Sequence, residues 1–380
     1  MSRPAEVIGM ELKRRPKGHG SKKRRRFSAR RPARKGVVAR REMMLDLTFL
    51  TPAFVSCTDQ HVPVVTAPTM RELLRWWFRA LVGHESMLGL VEVEEEESRL
   101  FGSGKRRIRP PVAIQVVPSA SFDIMPAGSA APKSGIWAET TPKQDGIHYL
   151  ASGPVGPVAR KECDEHGVAV DAAFNDPTTG KARRGQILRQ PAVTPGSRFT
   201  VHMSWNEDAL EDRHIEDLVR AAASLVTLGG VGSRSRKGFG ALVGDIDAPE
   251  VPEARSWWES QTYGILHGPT LSASSGFPSF PCLAYGIIRI DPVLSPTWER
   301  ALGRLGLLYA TIRPRGEAAW IAGSARPKRD SSLMLTVLRE DEGYRGVATL
   351  LPYTLPDGEG ADALREYLAL FKELSWPAEG

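Results

Sequence analysis

The densest chemistry in this 380-residue chain lies between Leu228 and Leu242, where the sequence reads LGGVGSRSRKGFGAL. Five glycines in the twelve positions from Gly229 to Gly240 free the backbone to take positive φ. Successive N–H groups can then turn into a concavity, which is how a loop holds phosphate oxygens without side chains. Arg234, Arg236 and Lys237 add cations, and Ser233 and Ser235 add hydroxyls. The segment is not a Walker loop, because no Gly-Lys-Ser/Thr closes it. Nor is it a dinucleotide fingerprint, because it follows a helix and leads into a strand. The alternative is a turn whose glycines only permit close packing.

Three further basic groups could join such a loop on an RNA surface. Arg71, Arg75 and Arg79 recur at helical spacing beside Trp76; Lys105, Arg106, Arg107 and Arg109 flank a glycine turn; Lys328 and Arg329 follow Pro327. Each alone reads equally as a solvated face. Together they are basic loops in a body that is otherwise acidic, which argues that the cations are placed rather than merely abundant. A catalyst is harder to find. The eight histidines form no H-x-x-x-H pair, no G-x-S-x-G elbow is present, and Cys163-x-x-His166 is only half a zinc site. Asp59-Gln60-His61, after the first strand, puts an acid and a base together on a loop, where His61 could act on a ribose hydroxyl. No metal site and no cofactor is expected.

Periodicity supplies the elements that must position these residues. MLDLTFLTPAFVS reads as a first strand; Pro68-Thr69 opens a helix through LLRWWFRAL, with Thr69 as N-cap and Glu72 completing a capping box. Glu92 to Glu97 reads as an acidic loop, Val112 to Val117 as a strand, Phe199 to Trp205 as a strand, and Ala209 to Leu228 as a helix stopping at Gly229-Gly230. ALVGDI returns as a strand. Residues 123 to 195 lose periodicity and read as a long insertion, and residues 247 to 281 as a connection. Then follow the strand LAYGIIRI, a helix from Thr297 to Ala310, an antiparallel pair (SLMLTVLRE, YRGVATLLPY) and a helix from Ala361 to Leu374. The predicted fold class is α+β: two tandem ferredoxin-like (RRM-like) domains, residues 43–246 with the insertion and residues 282–380, joined by the 247–281 linker.

Charge divides the chain. Residues 1–42 hold 16 Lys plus Arg against three Glu, and the remainder 35 against 41, so the formal +7 belongs to an N-terminal tail. That tail cannot bury enough apolar surface to offset its entropy, and it reads as a disordered basic arm, either dispensable or a non-specific RNA tether. No run of 18 apolar residues and no apolar signal core is present, so neither a membrane span nor a secretory route is expected, and the expected location is cytoplasmic. Three distant cysteines, Cys57, Cys163 and Cys282, offer no disulfide framework.

LTFLTPAFVS, LRWWFRAL, LFGSGKRR, HYLASGP, TPGSRFTVHMSW and LGGVGSRSRKGFGAL occur in the order and wording of the RAMP superfamily of CRISPR proteins. Within it, the chain is similar to the first-subunit group of the type III-B Cmr effector complex; KRDSSLMLTV carries a weaker likeness in the second half. The resemblance implies a non-catalytic, RNA-binding subunit of an RNA-guided machine in antiviral defence. Its partners would be the guide RNA near its 3′ region, the paired target RNA and the other Cmr effector subunits, with no membrane and no small-molecule substrate. Carried onto this chain, Gly229, Gly230, Gly232, Ser233, Arg234, Ser235, Arg236, Lys237 and Gly238 become phosphate contacts, and Arg71 and Arg75 groove contacts. Lys105, Arg106, Lys328 and Arg329 extend the RNA surface. Two enzyme readings compete: a metal-independent guide-processing endoribonuclease, and a target-cleaving backbone subunit using Asp59 or Asp123. The first is disfavoured because about 140 residues follow Gly240.

Overall fold

The computed structural model describes residues 39–55, 63–83, 90–118, 121–138, 144–157, 186–268, 278, 280–314, 319–321, 324–325, 328–329, 331–353 and 361–377. Cys57, Asp59, His61, Cys163, His166 and nearly all of the basic tail lie outside them. The first half comprises β1 (Arg40–Phe49), α1 (Ala67–Val82), α2 (Leu90–Phe101), β2 (Ala113–Pro118), β3 (Arg198–Asn206), α3 (Asp212–Leu228) and β4 (Leu242–Asp247). Its four strands form an antiparallel sheet in the order β4-β1-β3-β2. Alternation in β1 puts Met43, Leu45, Leu47 and Phe49 inward, and Leu45 lies opposite both Val201 and Ile246. A one-residue slip would turn that whole row to solvent, so register is fixed by burial.

Helices α1 and α3 bury their apolar stripes in the same core, Met70, Leu74, Trp77 and Phe78 from one and Ile215, Leu218, Ala222 and Leu225 from the other. The first helix starts earlier than its capping signal suggested: Thr66, not Thr69, is the N-cap, and its hydroxyl accepts from the Thr69 N–H at 3.3 Å. The Glu92–Glu97 segment, expected as a loop, lies inside α2. Val93, Glu97, Leu100 and Phe101 fall at helical spacing on its buried side, and a glutamate run masks that three-residue apolar signal. Within residues 247–281, read as a connection, α4 (Ala254–His267) buries Ala254, Trp258 and Ile265 and packs on α3.

The second half comprises β5 (Ile287–Ile290), α5 (Trp298–Ile312), β6 (Leu333–Glu340), β7 (Gly343–Leu350) and α6 (Ala361–Lys372). Its sheet is antiparallel in the order β5-β7-β6. Leu302, Leu305 and Leu308 of α5 and Leu364 and Phe371 of α6 share a core with Leu335 and Ala348. A buried pair, Arg304 to Asp291 at 2.6 Å, ties α5 to the end of β5. The described parts of residues 123–195 join neither sheet. They form two-stranded pairs, Ile124–Met125 with Ala192–Val193 and Val155–Pro157 with Gln186–Leu188 among them. A short helix, Gly146–Leu150, lies between these pairs in the chain, with the Gly146 backbone set directly against Gly303 and Gly306 of α5. The whole is a mixed α/β fold with antiparallel sheets, and residues 39–380 make one compact unit. Among the described residues no helix is long and apolar enough to cross a membrane.

Candidate nucleic-acid interface

The Gly229–Gly240 loop runs along the seam between the two sheets. On one side the Ser233 N–H donates to the Phe54 carbonyl at 2.8 Å, and the Gly240 N–H to Pro52 at 2.9 Å. On the other, the Leu335 N–H of β6 donates to the Arg236 carbonyl at 3.1 Å, and the Thr336 hydroxyl to the Gly229 carbonyl at 3.1 Å. Phe239 packs on Phe54 with ring centroids 5.2 Å apart. The loop therefore belongs to both cores.

The glycines serve this packing first. Gly232 has φ 106°, and a Cβ there would lie 2.6 Å from the Phe54 carbonyl oxygen; Gly240, at φ 65°, faces Val231 with no room for any side chain. Backbone amides of Ser233, Ser235, Lys237 and Phe239 already donate within the protein. An open cradle of amides is thus only part of what the loop offers, and the close-packing alternative describes Gly229, Gly230 and Gly238, all buried. What the packing accomplishes is to hold side chains. Arg234, a non-glycine residue at φ 65°, sits exposed on the outer turn, its guanidinium donating to the Ser152 carbonyl. Left-handed backbone at an arginine costs about 1–2 kcal/mol, and such strain is retained where surrounding contacts over-determine it. Arg236 lies over the Trp76 ring, 4.9 Å from its centroid. Lys237 turns inward, 9% exposed, with Nζ 3.6 Å from the centre of the Tyr309 ring. Burial, reinforced by Arg234, Arg313 and Arg236, pushes its pKa down to about 7.

The α1 stripe is arranged otherwise. Glu97 of α2, almost fully buried, accepts from Arg75 Nε at 2.6 Å and pairs with Arg79 at 3.3 Å; Glu72 pairs with Arg75 at 3.2 Å. Burial opposes the Arg75 charge, but the Glu97 bond and field outweigh it and hold its pKa above the ordinary value. Arg75, carried over as a groove contact, is therefore committed to carboxylates, because a buried Glu97 requires cations. Lys105 and Arg106 meet Glu94 at 3.7 Å and Glu95 at 2.9 Å. The buried Nε of Arg71 has no hydrogen-bond partner among the described residues. A cleft of about 420 Å³ opens beside this stripe, between Trp76, Arg79, Glu97 and Phe280. Lys328 and Arg329 occupy a two-residue strand paired with Ser324–Ala325, away from either main sheet's hydrogen bonding. Asp123 is exposed, and its backbone carbonyl accepts from the Thr194 N–H at 2.9 Å. No cluster of metal-ligating side chains occurs among the described residues.

Sequence reasoning missed Tyr149, Tyr309 and Arg313, which the fold brings to Lys237 and Arg234. No local pattern marks them; they arrive from the insertion and from the end of α5. Glu97 was missed as well, because its segment reads as an acidic loop; the signal that could have found it is its i,i+4 spacing from Val93 and i+3, i+4 spacing to Leu100 and Phe101.

A mixed α/β fold with antiparallel sheets, joined at a basic glycine-rich loop, defines the class, and sequence comparison agrees: the RAMP superfamily model matches residues 46–243, and the chain belongs to that superfamily. Among individual proteins it is similar to the CRISPR system Cmr subunit Cmr1-2 of Pyrococcus furiosus, 22% identical over 203 residues that cover 53% of this chain and 94% of the relative. It is also similar to Cmr1-1 of the same organism, 29% identical over 183 residues that cover 48% of this chain and 41% of that relative. The second match thus spans less than half of that protein's length. The crystal structure of Cmr1 from Pyrococcus furiosus in its apo form shares the fold, with a TM-score of 0.50 at 18% identity over 82% of this chain and 88% of that one.

Proposed function

We propose that this protein is a non-catalytic, RNA-binding subunit of a type III-B CRISPR (Cmr) effector complex, contacting the 3′ region of the guide RNA and the paired target in antiviral defence. Its two sheets are read as tandem ferredoxin-like units: the order β4-β1-β3-β2, with α1 and α3 as crossovers, is the order of a complete unit, and the second half carries the strand-helix-strand-strand-helix portion. The other Cmr subunits are its protein partners, and its place of action is the cytoplasm. Membership of the superfamily and similarity to two Cmr1 subunits support the assignment.

The observation that carries the RNA reading is the state of the loop cations. Arg234 and Lys237 are held on a backbone pinned to both sheets and meet a carbonyl and an aromatic ring among the described residues, whereas Arg75, Arg79, Lys105 and Arg106 are all matched to glutamates. Phosphate supplies a counter-charge for these two, and base pairing between guide and target supplies the sequence specificity. In such a role the protein reads backbone and shape, and catalysis falls to other components.

The test is direct. The full chain is mixed with labelled single-stranded RNA and with a guide–target duplex, in EDTA and then in Mg²⁺, and binding and cleavage are read in parallel. Binding that is weakened by Arg234→Ala/Arg236→Ala/Lys237→Ala, with intact RNA in both buffers, is the expected result. Discrete cleavage in either buffer would overturn the non-catalytic assignment and direct attention to His61, Asp59 and Asp123.

A further inference from the structure

Lys237 is an amine held by a ring rather than by an acceptor. Its Nζ is buried, has no hydrogen-bond partner among the described residues, and rests on the Tyr309 ring at 3.6 Å from the centroid. Buried charged or polar groups left unmatched in this way are costly, and where they persist they concentrate at binding sites. Its surroundings come from four elements. Arg234 and Arg236 flank it on the loop; Tyr309 and the exposed Arg313 come from the C-terminal end of α5; Tyr149, 5.9 Å from Tyr309 between ring centroids, comes from the short helix Gly146–Leu150. Arg313 engages the Tyr149 hydroxyl, and Arg234 the Ser152 carbonyl. From α6, Tyr367 faces Tyr309 and donates to the Ile312 carbonyl at 2.7 Å, while His148 is turned to the Pro132 carbonyl at 2.8 Å. Among the described residues the charges acting on Lys237 are Arg234, Arg313 and Arg236, every one a cation.

We infer that this cluster is a phosphate subsite in which exposed Arg234 and Arg313 grip the oxygens of one phosphate group and Lys237, behind them, becomes charged as that anion arrives. The inference deepens the RNA reading above, on which it rests for the source of the phosphate; the anion chemistry itself stands on the cluster alone. Two arginines at the surface give bidentate donors matched to phosphate geometry. The buried amine then has the counter-charge that the protein withholds. Since its pKa in the free protein lies at about 7 and a nearby anion raises it, binding above about pH 7 moves up to one proton from solvent or buffer onto Nζ. No covalent bond changes. Affinity therefore falls as pH rises above about 7, until it passes the pKa of the bound state.

Isothermal titration of the full chain with inorganic phosphate, in two buffers of different ionisation heat, reads that proton directly; RNA affinity is followed in parallel from about pH 7 to about pH 9. The expected result is phosphate binding with net proton uptake, uptake abolished in Lys237→Met, and phosphate and RNA affinity each weakened by about tenfold in Arg313→Gln, with thermal melts confirming that both variants are folded. Undetectable phosphate binding, binding without proton uptake, or affinities unchanged in both variants would overturn the subsite. If RNA still bound through the loop in any of those cases, the RNA reading would stand without it. Phosphate binding with Lys237-dependent proton uptake but no RNA binding would keep the subsite and remove the RNA reading.

Discussion

The α1 stripe and the glycine-rich loop look alike as strings of arginine, and they differ in what faces them. On α1, Arg75 and Arg79 converge on the buried carboxylate of Glu97, and the neighbouring Lys105 and Arg106 face Glu94 and Glu95. In the loop, Arg234 and Lys237 find a carbonyl and an aromatic ring. A carboxylate neutralises an arginine's field at short range and leaves little for a ligand, whereas a carbonyl orients the Arg234 cation and leaves its charge outstanding, and the ring beside Lys237 supplies no counter-charge. Basic composition alone therefore overstates the first surface, and the second, with fewer residues, carries more of the available potential.

Substitutions can break this comparison. The largest expected effect is on RNA binding: replacing Arg234, Arg236 and Lys237 together with alanine removes contacts contributing roughly 1.5–3 kcal/mol each, so affinity falls by orders of magnitude. The log–log salt slope for single-stranded RNA should shrink by about 0.7 per contact. Replacing Arg75 and Arg79 with glutamine should change RNA affinity by less than about threefold. An equal loss from both sets, measured by filter binding across salt, would erase the distinction.

Next comes a stability effect with a defined sign. The folded-state pKa of Lys237, about 7, lies below the ordinary lysine value of 10.5, so between those values the unfolded chain binds the extra proton. Stability therefore rises with pH across that window, and the penalty is complete below about 7. At about 1.36 kcal/mol per pKa unit, Lys237→Met should stabilise the protein by several kcal/mol near neutrality, and the gain should shrink towards pH 10.5. Urea melts at several pH values measure it; a pH-independent difference would mean that the amine is not desolvated.

Smaller again is the consequence of unmatching Glu97. Arg75→Gln leaves a buried carboxylate short of a partner, with an expected loss of about 1–3 kcal/mol, and Glu97→Gln in the same background should recover part of it. Smallest is Arg106→Gln, where the pair with Glu95 is at the surface and the change should stay within about 0.5 kcal/mol. A larger loss there would show that the surface pairs are more than incidental.

The local elements were legible because each depends on its own residues. β1 and β3 alternate, α3 repeats its apolar positions every three to four residues and stops at Gly229, and Thr297 caps α5 as its hydroxyl type predicts. The glycine-rich loop was legible too, through composition. Legibility failed where one signal hid another. Four consecutive glutamates concealed the buried face of α2, and the Pro and Ser residues around α4 concealed a helix that buries three side chains, Ala254, Trp258 and Ile265. Tyr149 and Arg313 could not have been found at all, since they are far from Lys237 in the chain and carry no mutual spacing.

Sequence by itself determined the alternating strands, the amphipathic helices, the basic loop and the family, because each is written in neighbouring residues. Only the tertiary structure decided which cations stay unmatched: whether an arginine meets a glutamate, a ring or solvent depends on elements brought together from distant parts of the chain. The loop lies in the seam between two sheets, and that placement buries Lys237 among cations while Glu97 is buried among arginines.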